Sequence, residues 1–269
     1  MAKRQPEGNQ EPIVQRIRLR YAKRGPMRFT SHRDFARALE RAILRANVPI
    51  AYSQGFTPHP KISYASAAPT GAASEAEYLE IGLREPVDPA EVVQALDAAL
   101  SPGLDILDAW EAAGPGPGGG PAARSLAERI NASAWRLELP GVEPDELQDA
   151  VSAFLAAAEV LVQRLTKQGM RTFDARGPVV SLRVVDAPDD LPSEMYALPC
   201  AILDLVVRQV TPSVRPDDVL SGLRVMANLE LSVPPRATRL AQGMLIEQGA
   251  IVDPHTVDRV GAVNGAPSS

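Results

Sequence analysis

Eight consecutive residues, Gly114-Pro115-Gly116-Pro117-Gly118-Gly119-Gly120-Pro121, constrain the fold more than any other part of the chain. Glycine adds backbone freedom, and proline removes a hydrogen-bond donor while fixing φ, so neither a helix nor a strand can pass through them. The run predicts a linker at 114–121 that divides the 269 residues into two segments, 13–113 and 122–249. Each is long enough to enclose its own hydrophobic core. Small and polar residues dominate beyond, so 250–269 reads as a disordered tail.

The first segment opens on Ile13 to Ala22, where Ile17, Leu19 and Tyr21 alternate with Arg16, Arg18 and Arg20. Alternation of period two puts the apolar residues on one face of a strand and three arginines on the other. Gly25-Pro26 is a turn, and Ser31 followed three positions later by Asp34 marks the start of a helix that runs to about Ala46. On it Phe35, Leu39 and Ile43 recur every four residues as a core stripe, and Arg33, Arg37, Arg41 and Arg45 recur at the same interval on another face. Like charges at that spacing cost about 0.2–0.5 kcal/mol per pair. A stripe that opposes folding, however slightly, points to a partner.

Pro49 to Ser53 and Lys61 to Ala65 predict two short strands around the loop Gln54-Gly55-Phe56-Thr57-Pro58-His59-Pro60, whose glycine and prolines interrupt any ladder. Glu77 to Leu83 alternates again as a strand. Asp88, Pro89 and Glu91 supply an N-cap, a first-turn proline and an acidic first turn to a helix through Leu100, and Leu104 to Trp110 closes as a strand. Beyond the linker, strands are expected at Ala134 to Leu139, Glu159 to Leu165, Val179 to Val185, Ala201 to Val207 and Leu229 to Val233. Helices are expected at Glu143 to Ala158 and Pro216 to Leu223. The second half thus repeats the order of the first. The predicted class is α+β: two ferredoxin-like split βαβ halves in tandem, with antiparallel sheets and helices on one face.

Chemistry is bounded by what the chain lacks. With Cys200 its single cysteine, it can build neither an internal disulfide nor a four-cysteine zinc site nor a cysteine-held iron–sulfur cluster. Cys200 opens an apolar strand and reads as a buried, inert thiol. Met1 to Pro12 is polar, and no apolar run approaches the roughly 18 residues of a membrane helix, so a cytoplasmic protein without membrane contact is expected. No cofactor is expected. The net charge of −5 hides an asymmetry: residues 1–65 hold 13 Lys and Arg against 4 Asp and Glu, a balance of +9, and 66–269 hold 15 against 29, a balance of −14. Local potential decides which polyanion a surface attracts.

Four segments, Arg18-Leu19-Arg20-Tyr21, Phe29-Thr30-Ser31-His32-Arg33-Asp34, Gln54 through Ile62 and Ser74-Glu75-Ala76-Glu77-Tyr78, together resemble the radical-SAM-linked family of bacterial proteins. This is a domain of unknown function found alone or fused to a radical SAM protein. Gly169-Met170-Arg171 with Asp174 and Arg176 extends the resemblance, which covers roughly 14 to 245. It implies association with a radical SAM protein, and it carries over no catalytic residue. A radical SAM enzyme needs three cysteines for its cluster, so this chain could only assist one.

The expected function is a non-catalytic accessory protein of a radical SAM enzyme that binds RNA or an RNA–protein complex through a basic face. Arg18, Arg20, Arg33, Arg37 and Arg41 supply the charge; Phe56, His59 and Lys61 in the loop supply an aromatic ring, an imidazole and a further cation. Two alternatives stay open. One is a docking protein whose arginines meet an acidic partner without touching nucleic acid. The other is a small-molecule enzyme using His32, Asp34 and His59, which would have to lie within about 3–4 Å of one another. Capping and loop hydrogen bonds are the plainer account of those three residues, and neutralisation by the acidic second half is the plainer account of the arginines. His255 falls in the predicted tail and has no expected role.

Overall fold

A computed structural model describes residues 12–54, 56–112, 125–167, 169–186, 199–247 and 249–256. The expected linker at 114–121 lies outside them. The chain is α+β and divides into two compact units, the first of Met1–Thr70, Ala76–Glu128 and His255–Ser269, the second of Gly71–Glu75 and Arg129–Pro254.

The first unit runs β1 (Gln15–Lys23), α1 (His32–Arg45), β2 (Ile62–Tyr64), β3 (Ala73–Leu83), α2 (Pro89–Ala99) and β4 (Ile106–Glu111). In its sheet β1 lies between β4 and β3, and β2 flanks β3 on the other side. β1 runs antiparallel to β4, with Leu19 opposite Ala109, and β2 runs antiparallel to β3, with Ser63 opposite Glu80. The apolar face of β1 and the core stripe of α1 meet as the alternation requires: Ile17, Leu19 and Tyr21 bury with Phe35, Leu39, Ile43, Leu79 and Leu96. The Tyr21 and Phe35 rings stack with centroids 4.1 Å apart. Both helix starts follow the sequence. Ser31 Oγ accepts from the Asp34 N–H at 3.2 Å, and Asp88 Oδ1 accepts from the Ala90 N–H at 2.9 Å.

The second unit runs β5 (Ala132–Pro140), α3 (Pro144–Ala156), β6 (Leu161–Thr166), β7 (Gly169–Asp174), β8 (Val179–Val185), β9 (Cys200–Arg208), α4 (Pro216–Ala227), β10 (Arg236–Leu245) and β11 (Ile251–Val252). Its sheet order is β10-β5-β9-β8, every one of these pairs antiparallel, and the first residues of β3, 73 and 74, add in parallel to β10. β6 and β7 form a separate hairpin. With that hairpin and β11 set aside, β10-β5-β9-β8 corresponds strand for strand to β4-β1-β3-β2. Helices α3 and α4 approach closely where α4 carries Gly222, since a Cβ there would lie 2.6 Å from Phe154 Cε2.

Three expectations are corrected. Pro49 to Ser53 is not a strand; Ile50 and Tyr52 make isolated bridges to Leu83 and Pro60, because prolines on both sides limit the ladder. Leu229 to Val233 is not a strand either. Asn228, at φ 54, ends α4, and Leu229 buries as a single packing residue; the last long strand is β10, after Pro234 and Pro235. The predicted tail is ordered at its start: β11 pairs with β10, Met244 opposite Val252, and His255 stacks on Trp110 with centroids 4.3 Å apart. Among the described residues no helix is long and apolar enough to cross a membrane.

Candidate nucleic-acid interface

The core stripe and the arginine row of α1 separate as the 3.6-residue period dictates. Phe35, Leu39 and Ile43 are buried, and Arg33, Arg37 and Arg41 are exposed. Arg37 lies 3.9 Å from Asp34, each side chain 62% exposed, so water screens the pair almost completely. Arg33 and Arg41 form no ion pair among the described residues. Arg45 is different, since its guanidinium donates to the Ala99 carbonyl. The row left to solvent is therefore 33, 37 and 41.

The arginines of β1 are used within the fold. Arg18 is 3% exposed and donates from Nε to Glu80 Oε2 at 2.9 Å, while Arg16 donates to Glu80 Oε1 at 3.0 Å. Arg20 is half-buried. The expected solvated face of three arginines is corrected at Arg18, because β3 brings a carboxylate alongside β1 and buries the guanidinium with it. Arg24 is likewise held, by Asp105 at 2.9 Å.

The 52–61 loop is closed at its base. Ser53 N–H donates to the His59 carbonyl at 2.8 Å, His59 N–H donates to Ser53 Oγ at 2.9 Å, and Lys61 N–H donates to the Ala51 carbonyl at 2.8 Å. Beyond that closure Phe56 is 98% exposed, His59 is exposed and Lys61 is half-buried; Gly55 lies outside the described residues. Between the loop and the C-terminal end of α1 is an open cleft of about 230 Å³, with Ile43 and Leu44 from the helix, Asn47 just after it, Tyr52 from the loop and Arg84 after β3. Arg37, Arg41 and Leu44 stand at i, i+4 and i+7, one above another on one helix face, so the arginine row leads into this cleft. Sequence reasoning missed Tyr52, Arg84 and Leu44. The signal in Leu44 was available: it sits one residue after the core stripe, about 100° round the helix, and is 64% exposed.

His32, Asp34 and His59 each have a local contact of their own. The His32 ring sits edge-on to Tyr64 with centroids 4.7 Å apart, Asp34 accepts from Ser31 Oγ at 2.6 Å, and His59 is tied to Ser53. Among the described residues no group of three His, Cys, Asp or Glu could hold a metal ion. Burial, with Glu40 nearby, pushes the Tyr64 phenol well above its ordinary value, and its oxygen has no hydrogen-bond partner among the described residues. Cys200 is half-buried rather than buried, and desolvation, with Glu138 adding to it, raises its thiol above the ordinary value.

Other residues that carry the family resemblance are structural. Ser74 Oγ accepts from Arg239 Nε at 3.3 Å, and Glu77 Oε2 accepts from the Ala68 N–H at 3.1 Å. Asp174 accepts from the N–H groups of Val160, Arg176 and Gly177 at 2.8–3.0 Å, and a Cβ on Gly177 would lie 2.6 Å from Asp174 Oδ2. These explain why the pattern extends past the candidate interface. No curated protein matches the chain. The model of a family described as "Uncharacterized protein conserved in bacteria (DUF2344)" matches residues 16–216, well over half the chain, and both the α1 row and the 52–61 loop fall inside it. The chain belongs to this family of conserved bacterial proteins.

Proposed function

We propose that this protein is a non-catalytic binding module that holds RNA, alone or in an RNA–protein complex, on the α1 arginine row and the 52–61 loop, and does so as an accessory to a radical SAM enzyme. The observation that carries the reading is the contrast among the arginines of one unit: Arg16, Arg18 and Arg24 have carboxylates, whereas Arg33 and Arg41 have none among the described residues and Arg37 has a screened one. Repulsion along that row is relieved when a polyanion neutralises it, and release of condensed counterions drives the association. An exposed ring and a further cation in the 52–61 loop fit the contacts that RNA makes. The radical SAM partner rests on the sequence resemblance, and the lack of cluster-binding cysteines agrees with an accessory role.

Affinity purification of the tagged chain from its native cytoplasm, with and without ribonuclease, tests this. Recovery of a defined RNA, and loss of co-purifying protein after ribonuclease, is the expected result. A radical SAM protein retained after ribonuclease, with no RNA enriched, would replace RNA binding by direct docking between proteins.

A further inference from the structure

We infer that the cleft at the C-terminal end of α1 takes one unpaired base of a single strand of RNA, with Phe56 as a stacking platform for a second base. The inference rests on the RNA reading above and narrows it to single strands. Arg33, Arg37 and Arg41 repeat every four residues, a rise of about 6 Å along the helix, which is the length of one nucleotide in an extended strand. A strand whose phosphates follow this row arrives at Leu44, where charge gives way to the cleft. There the walls are Tyr52 and the apolar edge of Leu44, with Asn47 and one further cation, Arg84, as the polar groups within the same cleft. Its volume of about 230 Å³ accommodates one base and no base pair.

Phe56 lies four residues beyond Tyr52, so at most about 14 Å of extended chain separates them, a reach of two nucleotides. Its ring is 98% exposed, so among the described residues almost none of its surface is covered. The bases of a duplex are already stacked on one another and present only edges and phosphates, so neither Tyr52 nor Phe56 has a face to meet there. Base stacking on an aromatic ring is tolerant of sequence, so the site selects single-strandedness rather than a particular base.

The test uses the full chain in fluorescence-anisotropy titrations at low and physiological salt. The probes are a 12-nucleotide oligouridylate, a 12-nucleotide oligoadenylate and a 12-base-pair RNA duplex. Both single strands should bind at least tenfold more tightly than the duplex. Phe56→Ala and Tyr52→Ala should each weaken single-strand binding about tenfold and leave duplex binding unchanged. Because Phe56 contributes nothing to the core, its removal cannot act by unfolding the protein, and circular dichroism of both variants checks this. If the duplex binds as well as the strands, or if both alanine variants bind like the parent while Arg37→Glu with Arg41→Glu does not, the single-strand site is wrong and the RNA reading stands. If none of the three probes binds even at low salt, the RNA reading itself falls.

Discussion

β1 and α1 each carry arginines at a regular interval, yet the fold treats the two rows in opposite ways. On β1, Arg18 is buried against Glu80 and Arg16 shares the same carboxylate; on α1, Arg33, Arg37 and Arg41 remain in water. The difference comes from where neighbours originate. A strand residue has lateral neighbours about 5 Å away on other strands, and Glu80 is 62 positions from Arg18 in sequence. An exposed helix residue has its nearest neighbours three and four positions away on the same helix. A charge row on a strand therefore cannot be judged from local sequence, and one on a helix can be until a long side chain reaches another element, as Arg45 does at the Ala99 carbonyl.

The largest effect that would break this comparison is on stability. Glu80→Ala removes one charged hydrogen-bond partner from the buried Arg18 guanidinium and should cost about 2 kcal/mol in urea unfolding, whereas Arg37→Ala with Arg41→Ala should change stability by less than about 0.5 kcal/mol. Equal losses in the two variants would show that the α1 row is structural. Next in size is binding. Arg37→Glu with Arg41→Glu should weaken oligonucleotide binding by more than tenfold and flatten the plot of log affinity against log salt by about 1.4, with the melting temperature unchanged. Unaltered binding would reduce the row to a solvated face.

Within β1 a smaller contrast sharpens the point. Arg16 is 53% exposed, so Arg16→Ala should cost about 0.5 kcal/mol, well below the change at Glu80, although both remove a bond to the same carboxylate. The smallest effect is a pH dependence. Burial works to raise the Asp174 carboxyl, but three backbone N–H donors and Arg176 hold it below the ordinary carboxylate value. A carboxyl depressed in the folded state contributes stability that is present above the ordinary carboxylate range and lost as pH falls through it. Asp174→Asn should flatten that acid limb slightly in thermal melts, and the α1 double variant should leave it as it was.

Much of the architecture was legible because it is local. The caps at Ser31 and Asp88, the amphipathic period of α1 and the alternation of β1, β5, β8 and β9 all follow from residues within a few positions of one another. β10 was missed because its buried face carries Arg239 and Gln242, which break the apolar alternation. Arg239 is accommodated by Ser74, 165 positions away, and by the Trp135 ring 5.5 Å from its guanidinium. β7 was missed because Met170, Arg171 and Thr172 are all exposed, leaving no alternation to read. In the candidate interface, the arginine row and Phe56 could be found from sequence, while the cleft could not, since Leu44, Tyr52 and Arg84 meet only through the path of the chain.

His255 gives Trp110 optical properties of its own. The imidazole lies nearly parallel to the indole, at 18°, and its Nδ1 is 2.9 Å from Asp108 Oδ2. A ring stacked this closely on indole keeps water from one of its faces, and the chain's only other tryptophan is Trp135. Detachment of the C-terminal segment would therefore open that face to water and shift the Trp110 emission to the red. A chain cut after residue 249, where composition alone would place the end of the fold, would lose both the ring over Trp110 and the Val252 carbonyl that packs over Gly243.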